Sequence, residues 1–211
     1  MSLKNHSLVG AGFPRPKCLE KPIEFFPSDP PWDSNKEWVL EIGPGKGEFL
    51  LWVAEENPEI LCIGIEIKKS RFLKIVKKLS PHPDPLPKER EKTPNNILLI
   101  KGDARQCLPK IFETGCLTEV YILFPDPWPK RRHHKHRLLK PEIVEQVHTF
   151  LKPGGRIWIA TDHSDYSAQI KSVFPSDRWS FKEGRSLYPT YFETKWKNLG
   201  REIYYFCFER K

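Results

Sequence analysis

The chain has 211 residues, with 35 Lys and Arg against 27 Asp and Glu and a formal net charge of +8, a length that suits one domain with a full core. The cationic surplus points to a polyanionic partner, nucleic acid first, and an anionic membrane finds no long apolar run to support it. The five scattered cysteines (Cys18, Cys62, Cys107, Cys116, Cys207) are odd in number and form no CxxC pair; together with the lack of an apolar leader in the first twenty residues, they predict reduced thiols in a cytoplasmic protein.

Residues 1–37 are rich in proline and charge and weakly periodic, which predicts an arm on the domain surface, made basic by Lys4, Arg15, Lys17 and Lys21. Within it Asp29–Trp32 reads DPPW, similar to a tetrapeptide with which amino-methylating nucleic-acid enzymes grip an exocyclic amine. Only five residues separate Trp32 from the next strand at Trp38, too few for a crossover helix, so DPPW is expected to be a turn of the arm.

A domain is expected over 38–211. Glu37–Ile42 (EWVLEI) predicts a strand, GPGKG follows, and Phe49, Leu50, Val53 and Ala54 then recur at helical spacing. Gly43, Gly45 and Gly47 allow a tight turn and a close backbone approach, as at the nucleotide-binding opening of a doubly wound α/β fold. Leu61–Ile65 predicts a second strand ending at Glu66, about twenty residues beyond the glycines, where a carboxylate accepts from both hydroxyls of a ribose. Lys68–Leu79 reads as an amphipathic helix with Phe72, Leu73, Val76 and Leu79 inward and lysines outward. Residues 80–96 hold five prolines and no apolar period, which predicts a disordered surface insertion. Asn96–Ile100 resumes as a strand, and GDA (Gly102–Ala104) places Asp103 on the same rim, where it accepts from an exocyclic amine such as adenine's.

Tyr121–Phe124 predicts a buried strand that stops at Pro125, Pro127 and Pro129, holding Asp126 and Trp128 on a stiff loop at its carboxyl end. Lys130–Arg137 follows with five Lys or Arg and three His; Arg131, Arg132, Lys135 and Arg137 suit a phosphate backbone. The cations around His133, His134 and His136 oppose a metal site, and none is expected. Pro141 opens a helix over Glu142–Leu151 that KPGG closes, and Arg156–Ala160 forms a strand ending in TDHSDY, which sets Asp162 beside Asp126 if the two strands are neighbours. A further helix runs to about Phe174. Thr190 and Glu193 are polar exceptions in the aromatic TYFETKW, and Ile203–Phe208 is the last strand, with Trp179, Phe181, Tyr204 and Phe206 expected in the core.

In this order EIGPGKG, the Glu66 strand end, GDA, FPDPWPKRRHHKHRL, LKPGG, TDH and TYFETK resemble the bacterial tRNA (guanine-N7)-methyltransferases, from roughly Val39 onward. The resemblance implies a Rossmann-like class I methyltransferase: an α/β fold with a seven-stranded, mostly parallel sheet, an antiparallel last strand and helices on both faces. It implies S-adenosyl-L-methionine as cofactor, tRNA as partner, and 7-methylguanosine formed in the variable loop at position 46. By position, Glu41, Gly43, Gly45, Glu66, Asp103, Ala104 and Asp126 would meet the cofactor, and Lys130, Asp162, Thr190 and Glu193 the RNA substrate. His163 stands where the family pattern has Asn. A monomer or homodimer is expected.

Guanine N7 carries a lone pair, so its methylation needs no prior proton removal, and the site must chiefly position N7. An Arg fork on O6 and N7 is excluded because N7 has to be free; recognition falls to the N1–H and amino edge, for which a carboxylate, Asp126 or Asp162, is the matching acceptor. Asp126 is expected to stabilise the positive charge that reaches the purine, and Trp128 and Tyr191 fit equally a cover for the displaced base and packing in the core. A nicotinamide-dependent reductase would need the third glycine of GxGxxG, where Glu48 stands. An RNA-binding module without a cofactor would leave the strand-end acids unexplained.

Overall fold

All five residues of β2 (Trp38–Ile42) are buried, and the strand pairs in parallel on both sides, with β3 (Leu61–Glu66) and β5 (Leu117–Leu123). The computed structural model describes residues 24–27, 36–80 and 94–211. The other strands are β1 (Glu24–Phe26), β4 (Ile97–Lys101), β6 (Leu151–Thr161), β7 (Trp179–Glu183) and β8 (Tyr204–Arg210), and the sheet order is β1-β4-β3-β2-β5-β6-β8-β7. Five central strands are parallel, and β8 enters antiparallel between β6 and β7. Helices α1 (Glu48–Glu56) and α2 (Lys69–Leu79) cover one face; α3 (Ala104–Ile111), α4 (Pro141–Phe150) and α5 (Ser164–Ser172) cover the other.

Strand alternation divides the core accordingly. Leu40, Ile63 and Leu98 face the larger cluster, whereas Val39, Cys62 and Leu99 face α1 and α2. Because central parallel strands are buried on both faces, they read as unbroken apolar runs such as LCIGI and ILLI. The strand order reverses at β2, so a crevice opens at the carboxyl ends of β2 and β5, the switch point where ligands bind in such sheets.

The structure departs from the sequence reading at several points. The sheet has eight strands rather than seven, because Glu24–Phe26, assigned to the arm, pairs with Leu99–Lys101, and Lys101 Nζ meets Glu24 at 2.8 Å. The DPPW tetrapeptide and residues 81–93 lie outside the described residues. On α2 the inward stripe is Phe72, Ile75 and Leu79, and Leu73 is 41% exposed. Helix α4 ends at Phe150, and KPGG is the irregular start of β6, where pairing jumps from Leu117–Leu151 to Glu119–Arg156. The TYFETKW segment forms a helix, α6 (Tyr191–Asn198). Trp179 and Phe206 are buried as expected, but Phe181 lies on edge strand β7 and is 60% exposed.

Asn96, placed at the boundary of the insertion, is a structural member of the domain: buried, with its amide donating to the carbonyls of Ala54 (3.2 Å), Asn57 (2.9 Å) and Ile60 (3.0 Å). It ties the end of α1 to the start of β4. Asn96→Ala leaves buried carbonyls without that donor, so thermal unfolding should show a loss of about 1–3 kcal/mol, a fall in Tm of several degrees.

Candidate active site

The glycine loop turns through left-handed backbone at Gly43, Gly45 and Gly47, with φ of 80°, 60° and 76°. At Gly47 the space is closed as well, since a Cβ would meet the Ile75 side chain at 3.0 Å. A Cβ at Gly43 would meet nothing within 4 Å, so bare backbone here borders open space. Glu66, 1% exposed at the end of β3, receives Gly45 N–H on one oxygen (3.1 Å) and Lys68 N–H on the other (2.7 Å). The carboxylate read as a ribose acceptor therefore also fixes the glycine loop.

Glu41 lies beneath, buried, with one carboxylate oxygen lacking a hydrogen-bond partner among the described residues. Burial first, then the neighbouring Glu66 charge, pushes its carboxyl up to about 8. Asp103 caps α3 through Arg105 N–H (3.0 Å), and the Arg105 guanidinium bonds it at 2.5 Å. Burial alone would raise the Asp103 carboxyl, but these Arg105 bonds hold it below the ordinary range. Ala104 is the first residue of that helix and is buried.

The proline loop leaves β5 through two aromatic residues in left-handed backbone, Phe124 (φ 52°) and Trp128 (φ 44°). Such conformations cost about 1–3 kcal/mol each and persist only where the surroundings enforce them. Phe124 N–H is held by Ala160 O (2.8 Å) on neighbouring β6. The other restraint is Arg137, which the structure removes from the set of phosphate-facing residues. Its side chain is 1% exposed, and its guanidinium donates to Pro127 O (2.8 Å), Gln169 Oε1 (2.6 Å) and Asp165 Oδ2 (2.6 Å) while lying over the Tyr166 ring at 4.8 Å. The basic run is thus a 3₁₀ turn, Arg131–His136, with Arg131, Arg132 and Lys135 outward and Arg137 as its inward anchor. His133 and His136 pack against Trp128, at 5.9 and 5.2 Å between centroids. Asp126 is exposed on the rim, and Lys68 Nζ reaches it at 3.9 Å, linking the ends of β3 and β5. Lys130 is exposed beside it.

The C-terminal helix completes the rim. Tyr191 N–H donates to Glu48 Oε2 (2.8 Å) on α1, and Lys46 Nζ sits 3.9 Å over the Tyr191 ring, so α6 starts against the glycine loop. Thr190 caps α6 by accepting Glu193 N–H (3.2 Å). Glu193 is 3% exposed and accepts from Ser186 (2.6 Å), Lys197 (2.6 Å) and Tyr205 (2.7 Å). Its burial would raise the carboxyl, but these three donors outweigh that and hold it below the usual range. Together with Phe124, Trp158 and Tyr188, Thr190 and Glu193 line a small cavity beside the proline loop. Asp162, at the end of β6, pairs with Arg201 at 2.5 Å. The structure thus ties Gly45, Glu66, Lys68 and Asp126 into one rim with α6 alongside, whereas Asp103 is engaged by Arg105 and Asp162 by Arg201. Sequence reasoning passed over Lys68, Glu48 and Arg201; only their charge marked them.

The matched set, open glycine backbone, an orphan buried carboxylate oxygen and strand-end acids, suits a ligand presenting hydroxyls, amines and positive charge. A family model described as "Putative methyltransferase" matches residues 35–206. The fold is shared with a variant 16S rRNA (adenine(1408)-N(1))-methyltransferase with cosubstrate SAM from Catenulisporales acidiphilia, at a TM-score of 0.57 and 13% identity over 85% of this chain and 92% of that one. Fold and site together define a Rossmann-like methyltransferase. The tRNA (guanine-N(7)-)-methyltransferase of Nitrosococcus oceani is 37% identical over 185 residues, 85% of this chain and 74% of that protein. That of Nitrosomonas europaea is 37% identical over 66% of this chain and 58% of its own length. The chain belongs to the tRNA (guanine-N7)-methyltransferase family.

Two outcomes are expected. Arg137→Ala leaves the Pro127 carbonyl and Gln169 without their donor, worth about 1–3 kcal/mol, so amide hydrogen exchange across 124–137 should quicken about tenfold or more while β2 and β3 stay protected. Glu41 keeps its proton in the folded protein up to about 8 but loses it near 4.5 when unfolded, so its contribution to stability falls as pH rises through that window. Glu41→Gln should therefore gain Tm relative to wild type steadily between those two pH values.

Proposed function

We propose that the protein transfers the methyl group of S-adenosyl-L-methionine to guanine N7 in the variable loop of tRNA, at position 46, acting in the cytoplasm as a monomer or homodimer. The observation that carries this reading is the exposed Asp126 carboxylate, fixed at the switch point by a strained proline loop and linked through Lys68 to the Glu66 strand end. The cofactor supplies a methyl group activated on a sulfonium. Gly43 and Gly45 offer it bare backbone, Glu66 the acceptors for its ribose, Asp103 with Ala104 the edge of its adenine, and Glu41 a carboxyl oxygen without a partner among the described residues.

Because N7 attacks through its own lone pair, no residue serves as a base. Asp126 lowers the barrier electrostatically as positive charge reaches the purine. Positioning falls to Thr190, Glu193 and Asp162, all held by hydrogen bonds or an ion pair, with Lys130 at the entrance. Trp128 and Tyr191, 38% and 47% exposed, are placed to cover the displaced base. Arg131, Arg132 and Lys135 meet the phosphates. The absent third glycine disfavours a dinucleotide, and a module that only binds RNA leaves the buried Glu41 oxygen without a purpose.

Methyl transfer from tritiated cofactor to an unmodified tRNA transcript, followed by nucleoside analysis, should yield 7-methylguanosine. Asp126→Ala should lower the turnover about 100-fold or more, the scale of losing one electrostatic stabiliser, while tRNA binding persists. Label in N6-methyladenosine would transfer the assignment to DPPW.

A further inference from the structure

Helix α2 reads KSRFLKIVKKL, with five cations and no acid, and Lys68 precedes it. Lys74, Lys77 and Lys78 line a cleft whose fourth wall is Lys46 of the glycine loop. The cleft is built into the site's frame: Ile75, from the middle of the same helix, fills the space above Gly47, and Lys78 Nζ donates to Lys46 O at 2.7 Å. Lys46, Lys74, Lys77 and Lys78 are all exposed, and among the described residues none of them has a carboxylate within ion-pair distance.

A solvated face does not account for this arrangement. Exposed helix faces normally set Glu against Lys at i,i+4, whereas Lys74 stands three and four residues from Lys77 and Lys78, and such like-charge pairs oppose the helix. The helix dipole favours Lys77 and Lys78 in the last turn but does nothing for Lys74 or Lys46. Lys74, Lys77 and Lys78 on one helix face without an acid, with Lys46 beside them and its ammonium over the Tyr191 ring, call for an external polyanion.

Position says which one. Helix α2 follows β3 and the basic 3₁₀ turn follows β5, with β2 and its glycine loop between them. Two cationic surfaces therefore flank the cofactor loop. We propose that the lysine cleft is a second RNA-backbone site, which takes phosphates of the substrate on the side of the cofactor loop away from the 3₁₀ turn. The inference rests on the reading of the protein as an RNA methyltransferase and adds a binding surface to it.

The test uses the full chain carrying Lys74→Glu with Lys77→Glu, which leaves the Lys78–Lys46 bond in place. Binding to an unmodified tRNA transcript and to an unrelated RNA hairpin is measured across a salt series, with methyl transfer and S-adenosylmethionine affinity followed in the same preparations. The expected result is tRNA binding weakened about tenfold or more, a log–log salt slope shallower by about 1–2 because two phosphate contacts are lost, unchanged cofactor affinity and turnover at saturating tRNA, and recovery with Lys74→Arg and Lys77→Arg. Wild-type affinity and salt slope in the glutamate variant, on both RNAs, would overturn the site. If wild type methylates no tRNA yet the variant binds both RNAs more weakly, the N7 reading fails and the lysine cleft stands.

Discussion

One buried carboxylate sets the frame of the site. Glu66 has almost no contact with water, and a charge so placed is tolerated only where hydrogen bonds replace its hydration. It finds them in two backbone amides from different segments, Gly45 in the loop after β2 and Lys68 at the start of α2. The loop that borders the cofactor crevice and the helix that carries the lysine face are thereby locked to one strand end. The same charge acts on Glu41 below, where burial and repulsion together favour the protonated form. Two neighbouring acids are thus held differently: Glu66 by two backbone amides, Glu41 by a burial that favours its protonated form and leaves one oxygen to spare.

The proline loop follows a different logic. Its aromatic residues sit in backbone conformations that a free peptide would leave, and proline alone does not enforce them. Arg137 does much of the holding. One guanidinium spans a loop carbonyl, a helix amide and a helix carboxylate, a geometry its planar fork allows and a lysine could not copy. Within one cationic stretch, charge therefore points two ways: outward to solvent at Arg131, Arg132 and Lys135, inward as a strut at Arg137.

This division explains what could be read from the sequence. The strands, the glycine loop and the strand-end acids were legible because apolar runs and their abrupt ends have one structural meaning in a parallel sheet. Arg137 was not, since composition marks a charge but not which side of a turn it occupies. Leu73 failed for a related reason: on a helix this basic, the inward stripe is narrow and Ile75 lies nearer its centre. The tail misled because TYFETKW is aromatic enough to read as packing, while its helix is set by a single Thr190 cap three residues before Glu193. The eighth strand, Glu24–Phe26, is only three residues long and stands among the prolines and charges of the arm.

The contact between Tyr191 and the glycine loop joins residues 143 positions apart in the chain, Glu48 and Tyr191, and β8, later still, lies inside the sheet rather than at its edge. During synthesis the central parallel strands can pair long before either arrives, because they need only the β and α segments already made. The rim stays open on one side until Tyr191 has left the ribosome and β8 has slotted between β6 and β7. A nascent chain therefore has its central sheet before it has its crevice, whose α6 side exists only once Tyr191 has met Glu48.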